Sequence, residues 1–397
     1  MECRLAGREK EDFKIVRIAS YNVENLFSRP KAFHAADWNV GAPKLAAYRE
    51  VNDLMNKADY SPLDKQRIRD LLVELDIYRI NAQGSARRVQ SQSPRWAWLR
   101  KNRGDFDRQP NDPQQSIEIT ATGRDDWIGW VELAKEATDE VGTRMTAKVI
   151  AELDADVIGI VEAEDRPSLL RFNDDLLQNF YRHIMLVDGN DERGIDVGLM
   201  TRSNFRIETI RSNVDTEDSV GTVFSRDCPE YEVRTPGGTT IYCLVNHFKS
   251  QSGGGGEKRR RQAVKVREIV DGLVASGKHV VVMGDLNEGP KTSAAHAENL
   301  SDLYGDNSPL IECYALPNFD LGGRDGTFDT CSKGNRLDYI FISQSLQPFV
   351  TGGGVFRCGL WGKRQSRPVN WVTYPEMEAS SQQASDHAAV FIDLNIK

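Results

Sequence analysis

Six short runs of apolar, largely β-branched residues each abut an acid, an amide or a histidine. Residues 14–21 lead into Asn22, 156–161 into Glu162, 240–245 into Asn246 and His247, and 279–283 into Gly284, Asp285, Leu286 and Asn287. In two later runs the order reverses: Asp338 precedes 339–342, and Asp386 and His387 precede 388–392. Runs of this length and composition predict buried strands. Polar groups at opposite strand ends share one rim only if the strands run in opposite directions. A mixed or antiparallel set of sheets with one polar edge satisfies all six.

Helical spacing appears between the strands. It covers 143–153 through Met145, Val149, Ile150 and Leu153, and continues after Ser168 through Phe172, Leu176, Leu177 and Phe180. It returns in 257–275 through Val266, Ile269, Val270, Leu273 and Val274. Sheets with interspersed helices define an α/β or α+β class. Residues 35–142 break the pattern: helices are predicted near 44–58 and 62–80, then a polar stretch over 81–126, then another helix after Trp127. A segment this long reads as an insertion within one catalytic domain spanning 1–397, leaving the sheet near the polar rim. Residues 351–384 read largely as loop.

Composition enters as a set of exclusions. The net charge of −8 disfavours polyanion binding by the whole surface and leaves room for local basic patches. No stretch approaches the ~18 apolar residues of a membrane span. The charged opening segment predicts no secretory leader. The six cysteines are scattered without a C-x-x-C pair, which predicts neither a zinc site nor a disulfide framework but reduced thiols in a cytoplasmic protein.

The rim gathers carboxylates Glu162, Asp285, Asp338 and Asp386, amides Asn22, Asn246 and Asn287, and histidines His247 and His387. Phosphodiester hydrolysis asks for this set. Oxygen ligands suit Mg²⁺ or Mn²⁺, a base or orienting group prepares water, and donors stabilise charge developing on the phosphate.

Tyr21-Asn22-Val23-Glu24-Asn25-Leu26-Phe27, Ile160-Val161-Glu162, Asn246-His247-Phe248-Lys249-Ser250, Gly284-Asp285-Leu286-Asn287, Arg336-Leu337-Asp338-Tyr339-Ile340-Phe341 and Ser385-Asp386-His387 occur in this order. Together they resemble the endonuclease/exonuclease/phosphatase superfamily, in particular its deoxyribonuclease I-like and apurinic endonuclease-like members. The likeness covers about 14–34 and 143–397. It implies a four-layered α/β sandwich of two mixed sheets flanked by helices, with the long helical and loop insertion left unexplained. It implies that Glu162 binds metal, with Asp386 near it and Asn22 helping to hold metal or phosphate. It further implies that Asp285 activates or aligns water, that Asn287 orients water and phosphate, and that His387 contacts the scissile phosphate. Asp338 would fix the His387 tautomer and raise its pKa. His247 is a candidate acid for the leaving oxygen. Asn246 and Lys249 either contact substrate or serve backbone and loop.

Three basic segments bear on the substrate: 87–103, containing Arg95, Arg100 and Lys101 with Trp96 and Trp98; 258–267; and Lys363, Arg364 and Arg367 near Trp361 and Trp371. Cations interleaved with aromatics suit a track for a nucleic-acid backbone. The expectation is a Mg²⁺- or Mn²⁺-dependent phosphodiesterase, a nuclease acting on DNA or RNA. The alternatives are a hydrolase of an inositol, lipid or other small phosphate ester, and a catalytically inactive binding module.

Overall fold

The computed structural model describes residues 15–26, 29–30, 38–89, 96–136, 141–191, 194–251, 255–291, 293–305, 307–362 and 371–396. The chain forms two units, Met1–Phe27 with Asp139–Lys397, and Ser28–Thr138.

In the first unit the predicted strands are Ile15–Leu26 (β1), Val157–Ala163 (β2), Thr240–His247 (β7), His279–Asp285 (β8), Asp338–Ser343 (β11) and Ala389–Asn395 (β13). Between them lie His183–Val187 (β3), Asp196–Thr201 (β4), Arg206–Arg211 (β5), Glu230–Arg234 (β6), Leu310–Glu312 (β9), Phe319–Asp320 (β10) and Val350–Phe356 (β12). They build two mixed sheets, ordered β3-β4-β2-β1-β13-β12-β10 and β5-β6-β7-β8-β11-β9. The directions follow the sequence argument. β1 runs parallel to β2 and antiparallel to β13; β7 runs parallel to β8, and β11 antiparallel to β8. The C-terminal ends of β1, β2, β7 and β8 therefore meet the N-terminal ends of β11 and β13 on one rim. β12 occupies part of the stretch expected to be loop. Its three glycines, 352–354, hide the strand from apolar patterning.

Strand alternation builds the layers. Val281 and Met283 of β8 face the other sheet, packing with Val245, Val157, Val161 and Ile18, while Val280 and Val282 face the opposite way. There they meet Ala263, Val266 and Val270 of the helix Gly256–Ala275 (α3). The helices Val141–Leu153 (α1) and Arg166–Leu176 (α2) cover the outer face of the first sheet through Val149, Ile150, Leu153, Leu169 and Phe172. The order is helix, sheet, sheet, helix. The cap of α2 is Asp165, accepting from the Ser168 amide at 2.6 Å, so the helix begins ahead of Ser168.

The second unit has its own core, built on the helices Trp38–Met55 and Pro62–Glu74. Ser61 and Asp64 form a capping box at the start of the second helix. That helix ends at Glu74, short of the expected 80, and Asp76 takes a left-handed φ of 59° before Tyr78–Ile80 pairs with Ala86–Arg88. The helix expected after Trp127 is instead the strand Trp127–Leu133, paired with Ala97–Gly104. Its buried residues alternate, with Trp127, Gly129 and Val131 inward, and that period of two defines a strand.

Among the described residues no helix is long and apolar enough to cross a membrane. Cys228, Cys243, Cys313 and Cys331 are buried thiols. Cys358 is disulfide-bonded, so the expectation of thiols throughout fails at that position.

Candidate active site

The rim encloses a pocket of about 340 Å³ whose walls include Glu162, His247, Asp285, Asn287, Asp386 and His387. Six of the residues singled out by sequence thus face one cavity. Each owes its place to a local device. Glu162 sits at a register irregularity of β2 with a left-handed φ of 68°, a conformation that costs a non-glycine residue energy and turns its carboxylate off the strand axis. Gly284 has φ 136°, and a Cβ there would lie 1.9 Å from the Asn246 carbonyl oxygen, so only glycine fits before Asp285. Asn287 is again left-handed, with φ 56°.

Hydrogen bonds fix the Asp285 carboxylate. One oxygen accepts from the Asn287 amide at 2.8 Å, and the other from the side chains of Asn22 and Asn287, each at 3.2 Å. Asn22 does not line the pocket. Its oxygen accepts from the Glu24 amide at 3.0 Å, and its side chain also hydrogen-bonds Glu162, so it links the Glu162 and Asp285 carboxylates. His247 points Nε2 at Glu162 (3.6 Å) and Asp285 (3.7 Å).

His387 shares a buried hydrogen bond with Asp338, Nδ1 to Oδ2 at 2.8 Å. The Thr327 hydroxyl donates to the same oxygen at 2.6 Å and accepts from the Leu337 and Asp338 amides, each at 3.1 Å. The Ser385 hydroxyl donates to the Asn22 carbonyl at 2.7 Å and accepts from the His387 amide at 3.0 Å, tying this loop to β1. The Phe328 ring lies 4.8 Å from the imidazole. With Nδ1 so engaged, Nε2 is the nitrogen left for the pocket, 3.8 Å from both Asp285 and Asp386.

Burial raises Glu162 and Asp386 above their ordinary values. It also lifts Glu24 to about 7, with Asp386 adding to the effect, and Asp285 to about 7, with Asp338 adding there. For His387 burial pulls downward, but the charges of Asp338 and Asp285 outweigh it and raise the imidazole to about 10. These neighbours favour the protonated imidazole.

Several lining residues escaped the sequence reading, among them two charged ones. Arg226 is a buried guanidinium held 3.0 Å from Asp191, and Glu24 was quoted in a motif without a role. Neither adjoins a strand end in the alternating pattern. Asn246 follows Leu244 and Val245 on β7 and faces away from His247. Its amide donates to the Leu244 carbonyl at 3.2 Å, so it does not line the pocket. Lys249 does not line it either; its backbone bonds to Gln262 and Arg259, and Ser250 takes its place in the wall. Asp196 is buried away from the pocket and accepts from the Gly189 amide at 2.8 Å. Arg95 and the cations Lys363, Arg364 and Arg367 lie outside the described residues. Arg100 and Lys101 belong to the second unit.

The donor set suits a hard divalent cation. Glu162 and Asp386, with Glu24 beside them, are oxygen donors, and a bound ion would supply the positive charge that burial withholds from these carboxylates. Asp285, Asp338 and His387 also place ligand atoms within 4.8 Å of one another. The hydrogen bond between His387 and Asp338 makes that trio a tethered imidazole facing a carboxylate, a poorer cage.

The sequence profile of the Endonuclease/Exonuclease/phosphatase family matches residues 104–348. The chain belongs to this family, whose members are phosphoric ester hydrolases. Its structure is similar to a mannosyl-6-phosphatase of Bacteroides thetaiotaomicron at 19% identity and a TM-score of 0.47, covering 64% of this chain and 90% of that one. It is also similar to truncated TDP2 of Caenorhabditis elegans (18%, 0.45, 64% and 90%) and to the human nocturnin catalytic domain with bound sulfate (15%, 0.46, 64% and 85%). No curated protein matches the chain by sequence.

Proposed function

We propose that the protein is a Mg²⁺- or Mn²⁺-dependent phosphodiesterase that hydrolyses nucleic acid at this pocket. The observation that carries the reading is the imidazole of His387, tethered by Asp338, facing the same cavity as Glu162, Asp285 and Asn287. In this reading Glu162 and Asp386 hold the metal, with Glu24 close by, and the ion when bound neutralises phosphate charge. Asp285, locked by Asn22 and Asn287, aligns the attacking water and draws its proton. His387 donates from Nε2 to an oxygen of the phosphate as charge develops there. Arg226 supplies a second fixed cation at the pocket wall. His247 is placed to protonate the leaving oxygen as the phosphorus–oxygen bond breaks. Residues 35–142 are an insertion within this domain that carries substrate-binding surface of its own.

A second reading, hydrolysis of a small phosphate ester, has its own support. The basic segment 258–267 offers no continuous cationic track. Arg259, Arg260, Arg261, Lys265 and Arg267 pair with Glu288, Glu257, Asp218, Glu268 and Asp271 respectively. A cleavage panel of labelled single- and double-stranded DNA, RNA, inositol phosphates and a sugar phosphate, each with Mg²⁺ and with Mn²⁺, separates the two. Polynucleotide cleavage with inert small phosphates supports the first reading; the reverse pattern replaces it with the second.

A further inference from the structure

The ribbon formed by Ala97–Gly104 and Trp127–Leu133 has two unlike faces. Ala97, Trp127 and Val131 enter the core of the second unit. The opposite face carries three cross-strand pairs in a row: Trp98 with Glu132, Arg100 with Trp130, and Arg103 with Ile128. Trp130 is 42% exposed and Ile128 61%, unusual for such large apolar side chains on a ribbon whose other face already buries its own. Arg100 lies 5.4 Å from the Trp98 ring and Lys101 lies 5.5 Å from the Trp130 ring, so each indole has a cation beside it. Lys101 reaches this position because a register shift between Arg100 and Arg103 places it in the left-handed region, φ 51°.

We propose that this face is a platform on which a single-stranded polynucleotide stacks its bases; it rests on the nucleic-acid reading given above. Three arguments select this occupant. The charge is complementary, since Arg100 pairs with Glu132 and the ribbon still carries Lys101 and Arg103 as further cations. Residues 28–138 hold 18 Lys and Arg against 16 Asp and Glu, a surplus of two inside a chain of net −8. Secondly, Trp98 and Trp130 are diagonal neighbours, about 7 Å apart by strand geometry. That is wider than the ~3.4 Å repeat of stacked DNA, so the two rings suit the splayed bases of a single strand better than a duplex. Thirdly, three large apolar side chains are far fewer than the roughly 20–30 residues that each partner brings to a stable protein interface. Trp96, by contrast, packs against the unit's core with Lys44 beside it, and is a structural tryptophan.

The test uses the full chain carrying His387→Ala to prevent cleavage, with a fluorescein-labelled oligothymidylate and a duplex of equal length as probes. Trp98→Ala and Trp130→Ala should each raise the single-strand Kd by about 5- to 150-fold, the duplex Kd changing far less. Trp130→Phe, which keeps a stacking ring, should restore most of the loss. Uncleaved background aside, the same tryptophan variants of the active enzyme should hydrolyse bis(p-nitrophenyl) phosphate normally. Unchanged single-strand binding overturns the proposal. So does an equal loss for single strand and duplex, or a shift in oligomeric state on Trp130→Ala, which would make the face a self-association surface. If the wild-type enzyme cleaves no polynucleotide and the His387→Ala chain still binds oligothymidylate through these tryptophans, the nucleic-acid reading of the catalytic site fails while the platform stands.

Discussion

His387 works through its neighbours. Asp338 holds Nδ1 and keeps the ring cationic, Thr327 holds Asp338, and Ser385 holds the backbone of His387. His387→Ala should lower kcat on the order of 10²- to 10⁴-fold. Asp338→Asn should cost less, because the ring stays in place but loses its charge partner. In the double variant the loss should match that of the worse single variant. Steady-state kinetics on a small phosphodiester reads all three, and additive losses would show that the two side chains act separately. Most of the pocket's polar lining was legible one residue at a time, because a polar residue ending an apolar run sits at a strand end. Arg226 was not: its place depends on Asp191, 35 positions earlier, and no local pattern records that pairing. The facing of Asn246 was legible in principle, since adjacent residues of a strand point to opposite faces.

At the scale of elements, the Gly284-Asp285 turn decides whether β8 delivers its carboxylate. Gly284→Ala adds a Cβ that meets the Asn246 backbone, at a φ that only glycine adopts readily. We expect a loss of stability of at least 1–3 kcal/mol by urea denaturation and, through displacement of Asp285, a fall in kcat of about 10²-fold. Gly272→Ala in α3 is the control: no heavy atom lies within 4 Å of its added Cβ, and stability should rise by about 0.5–1 kcal/mol. Equal behaviour of the two variants would remove Gly284 from the site's design. The sheets of the first unit were read correctly from β-branched runs, and their opposed directions from the reversed order at Asp338 and Asp386. The second unit was misread after Trp127. There Gly129 and two tryptophans blur the apolar period, and the pairing partner Ala97–Gly104 is charged along its exposed face. Basic residues of α3 were read as a patch because their acidic partners, Asp218 and Glu288 among them, lie far off in sequence.

For the whole molecule, the pocket's charges link stability to pH and to metal. Asp285, buried and raised to about 7, binds a proton in the folded state that the unfolded chain releases near pH 4. Folded-state proton uptake makes stability fall as pH rises from about 4 through 7. His387, raised to about 10, contributes stability that is complete below about 6.5 and is lost as pH rises through 10, so it acts in the same direction. Chelated protein should therefore melt at a higher temperature at pH 6 than at pH 8, and Mn²⁺ at pH 8 should recover the difference by neutralising the pocket's carboxylates. A melting temperature that climbs from pH 6 to pH 8 in EDTA would contradict the charge balance assigned to the site.

The central claim is that Glu162 and its neighbours make the pocket a divalent-metal centre for phosphodiester hydrolysis. The most direct measurement follows bis(p-nitrophenyl) phosphate turnover by EDTA-treated enzyme as Mg²⁺ or Mn²⁺ is added, with Glu162→Gln in parallel. We predict no turnover without metal, saturable recovery in the wild type, and in Glu162→Gln, which removes charge at nearly constant volume, a folded protein that responds only at much higher metal concentration. Full turnover by the chelated wild type, or an unchanged metal response in Glu162→Gln, would contradict it.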